Sequence, residues 1–297
     1  MTQSQIQYFL AVAQEMSFSK AAEALFVSQP AVSRQVALLE QELGTPLFDR
    51  TNQGITITDA GREFEAFFRD TQRQFQELVD RTRSGSDTVQ GTVNIGCAEG
   101  WDVSAFYPQL SAFVAEKYPN LKLNLSGFNH DHIFSALRHG EVDVVITIES
   151  ILQGHEEFSS ALLTQRRGML LFSAHHPLAQ KAGLALADFK DEPFYVTAPP
   201  SMKEATIEIL SLCADADFLP TIEHVPTLSA AYMKLSSGRG VLLCNDWMMS
   251  VNNPLFATLP LNLRRGVSLA WLTENRSPTV HLFINEILFW FQHAKNE

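Results

Sequence analysis

Residues 28–40 read SQPAVSRQVALLE. Ser28 can cap a helix, because its hydroxyl can accept from a free backbone N–H, and Pro30 is tolerated in the first turn. Val32, Val36, Leu39 and Leu43 follow at spacings of 4, 3 and 4, which puts them on one buried stripe. Gly44 can end the helix in a left-handed conformation. The opposite face offers Gln29, Ser33, Arg34 and Ala37, so it is small, polar and almost uncharged.

Upstream, Ile6, Phe9, Leu10 and Ala13 recur at helical spacing over residues 4–15. Ser19 is placed to cap a second helix over residues 20–25, and Phe26-Val27 makes a tight turn before Ser28. A short helix, a turn and a polar-capped second helix form a helix-turn-helix, whose second helix offers its first turns to base edges. Gln29 can pair with adenine, Ser33 can bond to bases or phosphate, and Arg34 can fork onto guanine. Downstream, extended pieces TNQ (51–53) and ITIT (55–58) around Gly54 predict a wing, with Arg50 placed to touch phosphate. The competing reading is a three-helix bundle with solvated polar residues.

The run FSKAAEALFVSQPAVSRQVALLEQELGTPLFDR (18–50) followed by ITITDAG (55–61) resembles the N-terminal domain of LysR-type transcriptional regulators. The resemblance implies a winged helix-turn-helix that binds double-stranded promoter or operator DNA, with Gln29, Pro30, Ser33, Arg34 and Arg50 approaching it. Two departures stand out. Ala37 and Leu38 replace the basic residues that often follow the serine-arginine pair, and Asn52, Gln53 and Gly54 replace a basic wing. Residues 1–57 carry Lys20, Arg34 and Arg50 against Glu15, Glu23, Glu40, Glu42 and Asp49. The salt-sensitive, charge-driven part of affinity is therefore expected to be small.

Thr58 can cap a helix starting at Asp59 and running to about Arg83. Phe64, Phe68, Thr71, Phe75, Leu78 and Thr82 form a heptad seam, which predicts pairing with a second copy. The alternative is a helix packed on its own domain. The family resemblance implies a homo-oligomer, either a dimer or a tetramer built from two dimers, and RNA polymerase is a further candidate partner.

From residue 88 the pattern changes to strand-helix alternation: VNIG, a helix over 103–118, LKLNLSG, a helix over 133–138, and VDVVITI. A second cycle follows with GMLLFSA, PFYVTA, a helix over 203–213, TIEHV, a helix over 228–237 and GVLLC. VSLAWLT and a helix over 278–294 close the chain. This predicts an α/β domain of two Rossmann-like subdomains. With GEVDVVI, HPLA and SSGRGVLL it resembles the effector half of the LysR family, which implies an effector domain similar to periplasmic solute-binding proteins of type II. The expected boundaries are 1–58 for the DNA-binding domain, 59–88 for the linker helix and 89–297 for the effector domain. Within the last, subdomain I is 89–161 with 267–297, and subdomain II is 162–266.

Two such subdomains enclose a cleft where strand carboxyl ends and helix N-termini meet, and a small-molecule effector belongs there. The loop Glu99-Gly100-Trp101 leads into a helix N-terminus. Family members often have Ser or Thr in that loop; Glu99 would repel an anion and could select an amino-bearing effector. By family register, Thr147, Thr197, Ser201 and Thr227 are further effector-binding candidates, although each is equally a cap or turn residue by type.

The totals bound the remaining readings. The chain has 297 residues, 45% hydrophobic and 19% charged, with net charge −11. No apolar run is long enough for a bilayer, and MTQSQIQYFL is not a signal peptide, so a cytoplasmic location and no membrane partner are expected. Cys97, Cys213 and Cys244 form no ligand pattern and suit a reduced compartment. Cys213 is either a core residue or a redox sensor. The pair His175-His176 lacks further metal ligands, and no catalytic signature is present, so no metal, cofactor or enzyme activity is expected. A solute-binding protein without DNA binding and a repressor without an effector are the rival classes.

Overall fold

A computed structural model describes the backbone of residues 1–51, 54–84, 89–198, 200 and 203–293; of these, the side chains of residues 50, 51, 54, 70, 73–74, 76–78, 80–84 and 131 are not described. The chain forms two compact units: Met1–Asp87 with Arg138–Glu141, and Thr88–Leu137 with Val142–Glu297. No described helix is long and apolar enough to cross a membrane.

The first unit begins with α1 (Gln3–Glu15), α2 (Phe18–Ala24) and α3 (Gln29–Leu43). The cap of α2 is Ser17, whose hydroxyl accepts from the Lys20 N–H at 3.3 Å, and not Ser19 as the sequence suggests. Phe18 thereby becomes the first helical residue and joins the core beside Phe48. Ser28 holds the cap position of α3, yet its side chain makes no capping bond. Pro30 in the first turn has no N–H to satisfy, so less is lost there. Val32, Val36 and Leu39 are fully buried against Phe9, Val12 and Ala21.

The end of α2 is unusual. Phe26 N–H donates to the Glu23 carbonyl at 3.1 Å and Val27 N–H to the Ala22 carbonyl at 3.0 Å. These two bonds are the Schellman pattern, whose left-handed position is normally glycine. Here Phe26 occupies it at φ +56°, with its ring 96% exposed.

The wing is β1 (Phe48–Thr51) and β2 (Gly54–Ile57), paired antiparallel with Arg50 opposite Ile55. Its first strand starts at Phe48, ahead of the expected TNQ; Asn52 and Gln53 lie outside the described residues. The Glu40 carboxylate of α3 accepts from the Leu47 and Phe48 N–H groups at 2.8 and 3.1 Å and ties the helix to the wing.

Helix α4 (Asp59–Ser84) is capped by Thr58, whose hydroxyl accepts from Gly61 N–H at 2.9 Å and donates to the Pro46 carbonyl at 2.8 Å. Phe68 is buried in the core with its ring 6.0 Å from Phe9, and Phe64 packs beside it. The expected heptad seam is thus consumed in its first half by the chain's own domain. Phe67 and Phe75 are instead 61% and 62% exposed, and Thr71 between them is exposed too. The periodicity marked an apolar face correctly but could not say what covers it.

The second unit is one mixed sheet. Its first strands are β3 (Gln90–Ala98), β4 (Asn120–Phe128) and β5 (Val144–Ile148), joined by α5 (Tyr107–Lys117) and α6 (His130–Arg138). The helix expected over 103–118 is broken at Phe106, after a 3-10 turn over Val103–Ala105. Pro108 explains this, since in a continuous helix its ring would meet the carbonyl four residues back. Then come β6 (Phe158–Ser173), β7 (Pro193–Val196), α7 (Lys203–Ala214), β8 (Thr221–His224), α8 (Leu228–Ser236), β9 (Val241–Asn245), β10 (Phe256–Leu272) and α9 (Pro278–His293).

The strand order is β4-β3-β5-β10-β6-β9-β7-β8. Parallel triplets stand at each side, and the long antiparallel pair β6–β10 runs between them. β6 begins at Phe158 rather than at GMLLFSA, and 256–266 is strand rather than loop. Pro260 and Gly266 hid that strand. The pairing irregularity after Pro260 falls where a missing N–H does no harm, and Gly168 lies opposite, where an added Cβ would meet Leu263 at 2.9 Å. Val267–Ala270 pairs with Val145–Ile148, and α9 buries Val280, Phe283 and Ile287 beside Val93 and Ile95.

Candidate functional site

On α3, Gln29, Pro30 and Arg34 are exposed and Ser33 is half-buried. The buried stripe aims this face outward, because Val32 and Val36 anchor the turns that carry Ser33 and Arg34. The backbone of Arg50 sits on β1 next to the wing turn, and its side chain is among those not described. The face offers one amide, one hydroxyl and one guanidinium, which suffices for base-edge hydrogen bonding.

In the second unit a cavity of about 80 Å³ opens where strands end. It is lined from β3 and its loop by Glu99 and Trp101, from the end of β4 by Asn129, from the end of β7 by Thr197, from the start of α8 by Thr227, and from the end of β9 by Asn245. Carboxyl ends of parallel strands carry no paired strand beyond them, so their loops are free to form a site. Thr227 also caps α8, accepting from Ala230 N–H at 3.1 Å, which leaves its hydroxyl proton for a ligand.

Three expected residues behave differently. Gly100 does not line the cavity; it turns at φ +83°, and a Cβ there would stand 2.3 Å from the Leu228 Cδ2. Its role is close approach. Thr147 is fully buried in β5 opposite Ser268 and does not line the cavity, and its hydroxyl has no described partner. Ser201 lies outside the described residues.

The cavity is closed at one side by a backbone clasp. Trp101 bridges to Met248, Asp102 N–H donates to the Trp247 carbonyl at 2.6 Å, and Met249 N–H to the Gly100 carbonyl at 2.9 Å. Trp247 is sandwiched between the Phe106 ring, stacked at 4.9 Å, and the Arg166 guanidinium at 4.8 Å. At the other side, Arg265 of β10 forks onto Glu208 of α7.

Burial pushes the Cys97 and Cys244 thiols up to about 12 and Cys213 to about 11. Cys213 is fully buried, so it holds its proton and packs as a core residue. Among the described residues no cluster of metal-ligating side chains occurs. His176 serves its turn: its Nδ1 accepts from Leu178 N–H at 3.1 Å.

Two family models match the chain. "Bacterial regulatory helix-turn-helix protein, lysR family" covers residues 3–62, and "LysR substrate binding domain" covers residues 86–291. The chain belongs to the LysR family of transcriptional regulators. Among curated relatives, the HTH-type transcriptional regulator AlsR of Bacillus subtilis is 30% identical over 288 residues, covering 94% of this chain and 93% of that one. BenM of Acinetobacter baylyi is 27% identical over 241 residues, covering 80% and 78%. In fold, the crystal structure of CbnR, a LysR family transcriptional regulator, matches with a TM-score of 0.69 at 21% identity, over 97% of this chain and 98% of that one. CbnR complexed with its target DNA matches equally, with a TM-score of 0.69 at 20% identity.

This LysR-type regulator is therefore a DNA-binding protein with a small-molecule effector domain, and not an enzyme. Sequence reasoning about it missed Asn129, Tyr195, Asn245 and Arg265 at the cavity. Asn245 left a usable trace, as a polar residue ending the apolar strand VLLC. Arg265 left none, because its place depends on a strand that Pro260 and Gly266 concealed.

Proposed function

We propose that this regulator reads its operator through Gln29, Ser33 and Arg34, with Pro30 and Arg50 against the backbone, and that an effector seated beside Glu99, Trp101, Thr197 and Thr227 controls it. The observation that carries the effector half is the cavity itself: its walls come from both parallel triplets, between which the long β6–β10 pair runs. A ligand touching both walls favours one relative setting of them, and that differential binding is what shifts a regulator between states.

The regulator acts as a dimer or tetramer. The exposed Phe67, Thr71 and Phe75 recur every four residues on α4 and offer a second copy an apolar stripe. Pairing would set two recognition helices on successive half-sites and supply affinity that the charge-poor α3 lacks. RNA polymerase is the partner through which a bound regulator acts on transcription, and the cytoplasm is where a chromosomal operator and three unpaired thiols belong.

The test is genome-wide mapping of bound sites, followed by fluorescence anisotropy of the full chain on a mapped operator. Sedimentation is expected to show a dimer or tetramer, and Phe67→Glu with Phe75→Glu to reduce both assembly and operator affinity. A monomeric parent that binds the operator normally would overturn the assembly reading.

A further inference from the structure

The charges around the cavity point to the chemical class of the effector. Glu99 is exposed at the rim, and its carboxylate makes no hydrogen bond or ion pair among the described residues. The one arginine in the lining, Arg265, is occupied: its Nε donates to Glu208 Oε1 at 2.7 Å and its Nη2 to Glu208 Oε2 at 2.7 Å. Glu208 also accepts from the Ser150 hydroxyl at 3.2 Å. His130, also in the lining, has interactions of its own. An anion entering the cavity would face Glu99 and would have to displace a geometrically ideal carboxylate from Arg265.

A second observation concerns the floor. Asn245 is 99% buried, being 1% exposed, and lines the cavity. Its Oδ1 accepts from Trp247 N–H at 3.1 Å, which fixes the orientation of the amide. Its Nδ2 then finds no acceptor among the described residues. A buried donor without a partner is costly, so a ligand oxygen that accepts from it gains more than an ordinary hydrogen bond. Ile148, Leu228, Leu242 and Met248 supply an apolar stretch of wall, and the Trp101 ring is able to face a cation, whereas the Tyr195 ring already has the Lys234 ammonium 5.5 Å from its centre. A cavity of about 80 Å³ has room for several water-sized groups.

We propose that the effector is a small amine: an ammonium group against Glu99, a short apolar body, and a neutral acceptor oxygen for the Asn245 amide. This inference rests on reading the cavity as the effector site.

The test is calorimetry and thermal melting of the full chain with three probes that share a three-carbon chain: 3-amino-1-propanol, propionate and 1-propanol. The amino alcohol is expected to bind at least tenfold more tightly than propanol and to raise Tm, while propionate binds least. Glu99→Gln, at an exposed position, is expected to fold normally and to bring the amino alcohol down to the level of propanol. Tighter binding of propionate, an unchanged amino-alcohol affinity in Glu99→Gln, or no preference for the amino alcohol over propanol each overturns the amine. Operator binding measured alongside separates the two readings. A chain whose operator affinity responds to propionate keeps the effector site and loses the amine. If no probe changes Tm and cavity substitutions such as Thr197→Val leave operator regulation intact, both are lost.

Discussion

Arg265 and Glu208 stand 57 positions apart in the chain and meet through two 2.7 Å hydrogen bonds, with only 10% and 16% of their side chains exposed. Removing one partner leaves a largely buried charge unpaired, which costs more than the pair itself contributes. Glu208→Gln is expected to destabilise the effector domain by about 2–4 kcal/mol in urea denaturation. Glu208→Leu with Arg265→Met, which removes both charges at similar volume, should recover most of that. A double variant as unstable as the single one would show that packing, and not the unpaired charge, sets the cost.

Phe26 holds a left-handed position that favours glycine or asparagine, and its exposed ring adds no packing. The strain is worth about 1 kcal/mol. Asparagine tolerates this conformation without the extra chain entropy of glycine, so Phe26→Asn is expected to raise the melting temperature of the DNA-binding unit by a few degrees. An unchanged or lower Tm would mean the ring is packed in solution.

Gly61 shows two effects in opposition. In a helix interior, alanine is favoured over glycine by about 1 kcal/mol. A Cβ here, however, would stand 2.2 Å from the Leu47 carbonyl oxygen and 2.7 Å from Ile57 Cγ1. The nearer atom is backbone and cannot rotate away, so the clash wins. Gly61→Ala is expected to destabilise by about 1–3 kcal/mol and to shift the wing, seen as a lower Tm and weaker operator binding.

The buried thiols predict a pH limit. Cys97 and Cys244 titrate near 12 when folded, above the value of a free thiol, so the folded chain holds protons that the unfolded chain has released. Stability is unaffected below about pH 8.5 and falls as pH rises from there towards 12. Proton release on unfolding near pH 10 should drop by about two in Cys97→Ala with Cys244→Ala. An alkaline stability profile identical in the parent and the double variant would count against it.

DNA affinity should depend weakly on salt. With three basic residues in 1–57, the proposed dimer would neutralise at most about six phosphates through that segment, so log K against log salt should fall no more steeply than about −5. Gln29→Ala or Ser33→Ala should reduce discrimination between operator and random DNA by about 1–3 kcal/mol. Equal loss on both DNAs would place these residues on the phosphate backbone instead.

How far the chain could be read without its fold varies by element. The stripe Val32–Val36–Leu39, the Thr58 cap and the strand-helix alternation after residue 88 are local patterns, and local patterns survive folding because caps, turns and periodicity act within a few residues. The α2 cap was misplaced by two residues because Ser17 and Ser19 are chemically equivalent, and only the burial of Phe18 chooses between them. The cavity was half visible: Glu99 and Trp101 lie in a loop whose place was evident, and Thr197 and Thr227 at an element end.

Sequence alone, through spacing and residue type, determined the recognition helix, its scarcity of charge, and the α/β character of the second unit. Tertiary structure alone decided that Phe64 and Phe68 face their own domain, that β6 and β10 pair between the two parallel triplets, and that Thr147 is buried away from the lining while Asn245 comes to the cavity. It also decided that Arg265 is already neutralised by Glu208. The physical reason is range. Hydrogen bonding within a turn of helix is set by neighbours, whereas the partner of a buried charge or an apolar face is chosen by packing between segments far apart in the chain.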